Sequence, residues 1–310
     1  MSCILWQDFC SMLARPQTPQ PSAVRVVADA PLMTQAHCEL TREIQVCDEH
    51  GQRRRLHIPL ERPLTVYVDK RELVTLMTLG VRPEWLVLGY LVNQRLVDHV
   101  SEVESITVDW EVGAAAVKTR SGVVDFDRKT AQRVVTTGCG QGTVFGQWMS
   151  EVDAVQLPDA TQARISQPVL YRILETIRQL DNIHRKAGSV HGCALFQDGD
   201  MLMFIEDVGR HNAIDTIAGW MALHGVQGAD KVFYTTGRLT SEMVMKAAHI
   251  GVPIIVSRNG MTAMGYEMAQ RLGMTLFGRA ANKHFIGYVG MERFDAEPQV
   301  RRSPVSVVAG

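Results

Sequence analysis

Apolar positions fall into two regimes along the chain. From residue 39 they come in short alternating runs, at 40–46, 55–58, 64–68 and 73–77, set apart by Glu49-His50-Gly51, Pro59 and Asp69-Lys70. A period of two broken by turn-forming residues predicts a meander of strands. Pro83 then stands where a first helical turn tolerates proline, and Trp85, Leu86, Leu88, Gly89, Leu91 and Val92 predict one apolar helix face ending at Asn93. Further strands are predicted at 105–109, 114–119 and 123–126, leading into a glycine-rich stretch around Cys139.

Beyond a polar linker at 157–163 the pattern changes. Ser166-Gln167-Pro168 opens a predicted helix with Val169, Ile173, Leu174, Ile177 and Leu180 on one face, closed by Lys186-Ala187-Gly188. Strands at 190–196 and 201–205 follow. After them come helix 212–223, strand 231–234, helix 241–249, strand 253–256, helix 262–272, and strands 274–277 and 285–289. Such alternation implies an α/β fold with a parallel-rich sheet, helices on both faces, and ligands at the C-terminal ends of the strands. The expected organisation is a β-rich N-terminal subdomain over 37–156, ending in the Cys139 loop, and an α/β domain over 157–290. Pro16, Pro19, Pro21 and Pro31 interrupt any periodicity before it, so 1–36 reads as a loosely ordered tail, and 291–310 as a second one.

Composition narrows the function classes. With 310 residues, 46% hydrophobic content and a net charge of −1, the chain can bury a real core and lacks the basic excess of a nucleic-acid or membrane-surface protein. Six cysteines are scattered at 3, 10, 38, 47, 139 and 193, and the opening residues carry neither a basic n-region nor an apolar h-region. A reduced cytoplasmic setting is therefore expected rather than a disulfide framework. No apolar run approaches the roughly 20 residues that a bilayer-crossing helix needs.

Two features carry candidate chemistry. The first is Thr137-Gly138-Cys139-Gly140-Gln141-Gly142, where glycines let backbone N–H groups turn toward the sulfur and favour its thiolate. Taken alone, it reads equally as a surface loop that happens to hold a cysteine. The second is a set of three strand-to-helix junctions: Glu206 to Asn212, Tyr234 to Glu242, and Ser257 to Thr262. Each one singly is a capped helix with a surface arginine. Three on one rim, with Arg210, Arg238 and Arg258, make a site for phosphate or pyrophosphate. No G-x-G-x-x-G after a strand, Walker loop or G-x-S-x-G elbow occurs. His191-Gly192-Cys193 has cysteine where a zinc deaminase has its Glu, and no P-C-x-x-C follows, so no metal site is expected.

Together, Thr-Gly-Cys-Gly at 137–140, His191, Glu-Asp-Val-Gly-Arg-His-Asn-Ala-Ile-Asp at 206–215, Gly-Arg at 237–238 with Ser-Glu-Met-Val-Met-Lys at 241–246, and Leu-Phe-Gly at 276–278 resemble the FdhD family of formate dehydrogenase accessory sulfurtransferases. The resemblance runs from about residue 64 to 288. It implies a cytidine-deaminase-like mixed α/β sheet without catalytic zinc, usually dimeric. It also implies a persulfide relay from a cysteine desulfurase to the molybdenum or tungsten of a bis(molybdopterin guanine dinucleotide) cofactor, bound as substrate and destined for formate dehydrogenase or a related molybdoenzyme. Cys139 matches the family's persulfide cysteine, and its cofactor-contacting segment falls on Arg279, Ala280, Ala281, Asn282, Lys283 and His284. Arg210, His211 and Arg238 are further candidates to hold the anionic cofactor. Gly142 stands where the family's C-x-x-C loop has its second cysteine. A cofactor-binding chaperone without sulfur transfer is the alternative reading.

Overall fold

The computed structural model describes residues 26–123, 134–135, 142–143 and 154–297. Its first half is a five-stranded sheet in the order β1 (Leu32–Met33), β6 (Val103–Asp109), β7 (Ala114–Thr119), β4 (Arg62–Val68) and β5 (Arg71–Thr78). Helix α1 (Pro83–Asn93) covers it, and the alternation seen in sequence becomes burial: Leu64, Val66, Leu73 and Leu76 meet Leu86, Tyr90 and Leu91 in one core. Strands β2 (Thr41–Cys47) and β3 (Arg53–Pro59) pair only with each other, as an antiparallel ribbon. Val134 and Val135 (β8) pair antiparallel with Thr143 and Gly142 (β9). The predicted strand at 123–126 reaches beyond the described residues, and Cys139 lies outside them.

The second half centres on a six-stranded sheet in the order β12 (Asp200–Asp207), β11 (His191–Gln197), β13 (Lys231–Thr235), β14 (Ile254–Ser257), β15 (Thr275–Ala281) and β16 (His284–Val289). Helices α4 (Arg210–His224), α5 (Ser241–His249) and α6 (Ala263–Arg271) cover one face, through Leu195, Phe233, Ile255 and Leu276. Helix α2 (Gln167–Gln179) covers the other, with Leu170, Ile173 and Leu174 against Phe196, Tyr234 and Val256. The strands are buried on both faces, which is why they read as continuous apolar runs.

Three expectations are corrected. The sheet is mixed rather than parallel-rich: only β13, β14 and β15 run parallel, while β12 with β11, β11 with β13, and β15 with β16 are antiparallel. For β11 with β12 and β15 with β16 the cause is turn chemistry, since two-residue connections join antiparallel neighbours only. Asp198-Gly199 adopts φ of 51° and 82°, and Asn282 adopts 54° in the turn between β15 and β16. The single helix expected over 166–187 is two, because Leu180 leaves the helical conformation and the side chain of Asn182 accepts the Arg185 N–H, starting α3 (Ile183–Ala187) afresh. The tails also shorten. Leu32 and Met33 pair with β6, and Thr34 and Ala36 both donate to Glu84 on α1. At the other end Phe294 and Asp295 (β17) pair in parallel with Ile165 and Ser166 (β10), and buried Arg293 donates to the carbonyls of Gly273 and Pro158.

The halves meet where α1 crosses α4 backbone to backbone. A Cβ built on Gly89 would lie 1.7 Å from the carbonyl oxygen of Asp215, and one on Gly219 would lie 2.0 Å from that of Trp85. No residue with a side chain fits either position.

Candidate functional site

A cavity of about 320 Å³ opens on the α2 side of the six-stranded sheet, at the edge where β13, β14 and β15 end. Tyr234 and Thr236 come from β13 and its exit, Arg258 follows β14, and Ala280, Ala281 and Asn282 close β15 and its turn. Gly192 opens β11, and Phe204 and Glu206 come from β12. Leu174, Ile177 and Arg178 of α2, Asn182, and His184 and Arg185 of α3 form the facing wall. The cavity lies where α2 stops at Gln179 and α3 restarts at Ile183.

Two features shape it. Phe204 packs against Gly192, whose added Cβ would come within 3.0 Å of the ring, so glycine is what lets the ring approach the strand this closely. Glu206 is almost fully buried, and its carboxylate accepts the N–H groups of Ile183 at 2.7 Å and His184 at 2.9 Å, which pins the start of α3 to the sheet. Burial pushes this carboxyl above its ordinary value, against the lowering effect of those two hydrogen bonds. Arg185 and Arg258 are exposed beside it, while Arg178 is bonded to Glu175.

The three junctions do not converge. Arg258 lines the cavity. Arg238 is exposed, and Arg210 is buried with its side chain packed under Gly237, whose added Cβ would lie 2.6 Å from the arginine Cδ. Neither lines the cavity. Both lie near His191, whose imidazole is held below its ordinary pKa first by burial and then by the charges of Arg210, His184 and Arg238. Of the expected segment 279–284, Ala280, Ala281 and Asn282 line the cavity, whereas Arg279, Lys283 and His284 are exposed around it.

His211 is placed differently from the anion-binding role expected of it. It is 2% exposed and faces inward, with Nε2 3.3 Å from the Glu242 carboxylate. The reason lies in the string at 206–215, which works as a seam between the halves. Asp207 accepts from the Thr78 hydroxyl, Leu79 N–H, Gly209 N–H and Asn212 amide. Asn212 also donates to the Met77 carbonyl at 2.7 Å. Asp215 accepts Asn93 and Lys246, both at 2.7 Å, with its side chain and that of Lys246 wholly buried.

This seam makes stability depend on pH. Burial holds His211 well below its ordinary value and His249 at about 3, with neighbouring cations adding to both. The unfolded chain takes up these protons below about pH 6.5 and the folded one does not, so the stability they provide is full above that pH and lost as pH falls toward 3. Asp207, pushed by burial to about 6, acts oppositely, since between about pH 6 and 4 the folded state holds a proton that the unfolded chain releases. The expected result is a urea midpoint that drops from pH 7 to 5. His249→Gln should flatten that drop by up to about 1.4 kcal/mol per pH unit; an unchanged slope would show that His249 titrates freely in the fold.

Residues 59–295 match the FdhD/NarQ family. The chain belongs to it. Among curated relatives, the Sulfur carrier protein FdhD of Bacillus subtilis (strain 168) is 30% identical over 233 residues, which cover 75% of this chain and 88% of that protein. The Sulfur carrier protein FdhD of Listeria monocytogenes serotype 4b (strain F2365) is 30% identical over 237 residues, covering 76% and 90%. A crystal structure from Desulfotalea psychrophila, described as that of a candidate formate dehydrogenase accessory protein, matches with a TM-score of 0.66 at 25% identity and covers 83% of this chain and all of that one. The mixed α/β architecture expected of an FdhD/NarQ protein is thus the one found.

The described cysteines of this FdhD/NarQ member divide sharply. Cys193 is 0% exposed and donates toward the Thr235 hydroxyl at 3.3 Å, and burial pushes its thiol to about 12. It is a packing residue of the sheet. Cys38 is half-buried and also raised by burial, ahead of a lowering contribution from Arg62. Cys47 is exposed at the end of β2. Among the described residues no helix is long and apolar enough to cross a membrane, and no three His, Cys, Asp or Glu side chains are placed to hold a metal ion.

Proposed function

We propose that the protein is a sulfur carrier for formate dehydrogenase maturation. Cys139 takes sulfur as a persulfide from a cysteine desulfurase, for delivery to the molybdenum or tungsten of a bis(molybdopterin guanine dinucleotide) substrate. The observation that carries the reading is membership of a family whose curated relatives are named sulfur carriers, together with the cysteine set among glycines at 137–142. In the loading step the Cys139 thiolate attacks the outer sulfur of the desulfurase persulfide and the desulfurase thiolate leaves. The cavity between α2, α3 and the sheet supports the substrate assignment, since it pairs an aromatic slot with Arg185 and Arg258 at its mouth for phosphate. Ala280, Ala281 and Asn282 form one wall of that slot; Arg279, Lys283 and His284 are exposed beside them in the same segment, available to the rest of a large anionic cofactor.

Incubation with a desulfurase and cysteine tests the reading: intact-protein mass spectrometry is expected to show one added sulfur on Cys139. A protein that binds the cofactor but gains no sulfur would be a chaperone instead. Gly142 bears on the fate of the persulfide, because it lies where a second thiol would attack it, expel sulfide and close a disulfide. Gly142→Cys is therefore expected to shorten the persulfide lifetime several-fold and make the loop oxidisable, read by the decay of the added mass. An equally long lifetime in the variant would show that this neighbouring position cannot reach the persulfide.

A further inference from the structure

The cavity holds one carboxylate among its cations. Glu206 ends β12 inside the slot, yet it is not spent as a salt bridge: its described partners are two backbone N–H groups, one on each oxygen. A carboxylate offers about four acceptor positions and donates nothing while ionised, so each oxygen retains one lone pair for a ligand donor. Phe204 and Tyr234 put aromatic carbon into the lining, and Ala280 and Ala281 leave open the space that longer side chains would fill. The slot therefore admits a planar heterocycle, and two adjacent donors on its edge are what such a carboxylate recognises.

We propose that Glu206 sets the specificity of this cavity by accepting the ring N–H and the exocyclic amine of a 2-amino-4-oxopyrimidine edge, which guanine and pterins share. The inference rests on the cofactor-binding reading of the cavity and adds what selects the heterocycle. Adenine fails at this edge because its ring nitrogen is an acceptor and would face the carboxylate lone pairs. Hypoxanthine keeps the ring N–H but lacks the amine, and so isolates the second contact. Glu206 is a positioning residue for α3 as well, so its test needs a readout that a loosened helix would not move.

That readout is a ratio. Titration calorimetry on the full chain compares GDP, IDP, ADP and 6-hydroxymethylpterin. GDP is expected to bind at least about tenfold more tightly than IDP, and ADP more weakly still. Glu206→Gln is expected to bring the GDP-to-IDP ratio toward one, because its amide presents a donor to a donor. Ala281→Leu, which fills the slot from the other wall, is expected to weaken GDP and IDP alike and keep the ratio. If the pterin binds and GDP does not, Glu206→Gln is expected to abolish pterin binding, and the pterin end is the occupant. Tight GDP binding with no preference over IDP, or an unchanged ratio in Glu206→Gln, overturns the role of Glu206 while leaving the cavity a nucleotide site. Failure of both GDP and the pterin to bind overturns the cofactor reading of the cavity itself, and Glu206 with it.

Discussion

Cys139→Ala is expected to give a protein that folds, binds guanine nucleotide as before and leaves its client formate dehydrogenase at background activity. The stability change is expected within about 0.5 kcal/mol, because a thiol among glycines contributes little packing. The separation of these outcomes is the point of the measurement. A client that stays active with Cys139→Ala sinks the persulfide reading, whatever the nucleotide affinity. The decay of the added sulfur mass settles whether another cysteine takes part. Cys193→Ser is expected to leave the Cys139 persulfide lifetime unaltered, since the Cys193 sulfur is enclosed by the core and held protonated at neutral pH. A persulfide that decays rapidly only when Cys193 is present would mean that the sheet opens far enough to expose it.

Gly89→Val is expected to have the largest effect on folding. The valine Cβ has no room at 1.7 Å from the Asp215 carbonyl, so α1 and α4 must part. Overpacking of this kind costs roughly 3 kcal/mol or more where neither backbone yields. The Asp215 side chain belongs to the same turn, and parting the helices takes the Asn93 amide away from this buried carboxylate, a charge-assisted hydrogen bond worth a further ~1.5–3 kcal/mol. The sum rivals the roughly 5–15 kcal/mol by which whole domains are stable. The expected result is insoluble protein or a collapsed urea midpoint. Gly260→Ala is the control, because its added Cβ meets nothing nearer than the Tyr288 hydroxyl at 3.9 Å. A Gly89→Val chain as stable as that control would mean that the helix crossing is looser than its geometry.

Much of this architecture is legible in the chain. Period-two runs at 64–68 and 73–77 become β4 and β5, and the apolar face after Pro83 becomes α1, because one-sided burial writes itself into local periodicity. The helix break is less visible. Asn182 is a good capping residue, but Leu180 continues the apolar stripe past the point where the helix ends at Gln179, so periodicity masks the cap. The antiparallel edge at Asp198-Gly199 is readable from turn chemistry, and the strand-helix alternation around it points the other way.

The candidate site is legible only in part. Residues 280–282, which the family resemblance points to, and Arg258, marked by its strand-to-helix junction, line the cavity. His211 groups with its arginine neighbour because adjacent residues share a segment, whereas on a helix they point in different directions, and only the packing of α4 on α5 shows that His211 faces Glu242. Glu206 is one of two acids ending a strand, and the two have opposite tasks. Asp207 ties the halves together and Glu206 lines the cavity, as strand alternation sends consecutive side chains to opposite faces of the sheet. Phe204 and Tyr234 carry no local signal, since an aromatic on a buried strand is ordinary core until a helix stops short above it.

The pairing of β10 with β17 also determines how the chain resists being pulled apart. The strands run parallel, so tension between the chain before Ile165 and the chain after Asp295 loads their contact in shear, all bonds at once, instead of peeling it one bond at a time. Arg293 adds a latch to the carbonyls of Gly273 and Pro158. Pulling on the chain beyond Asp295 therefore loads this contact before it reaches β16 and the wall of the cavity.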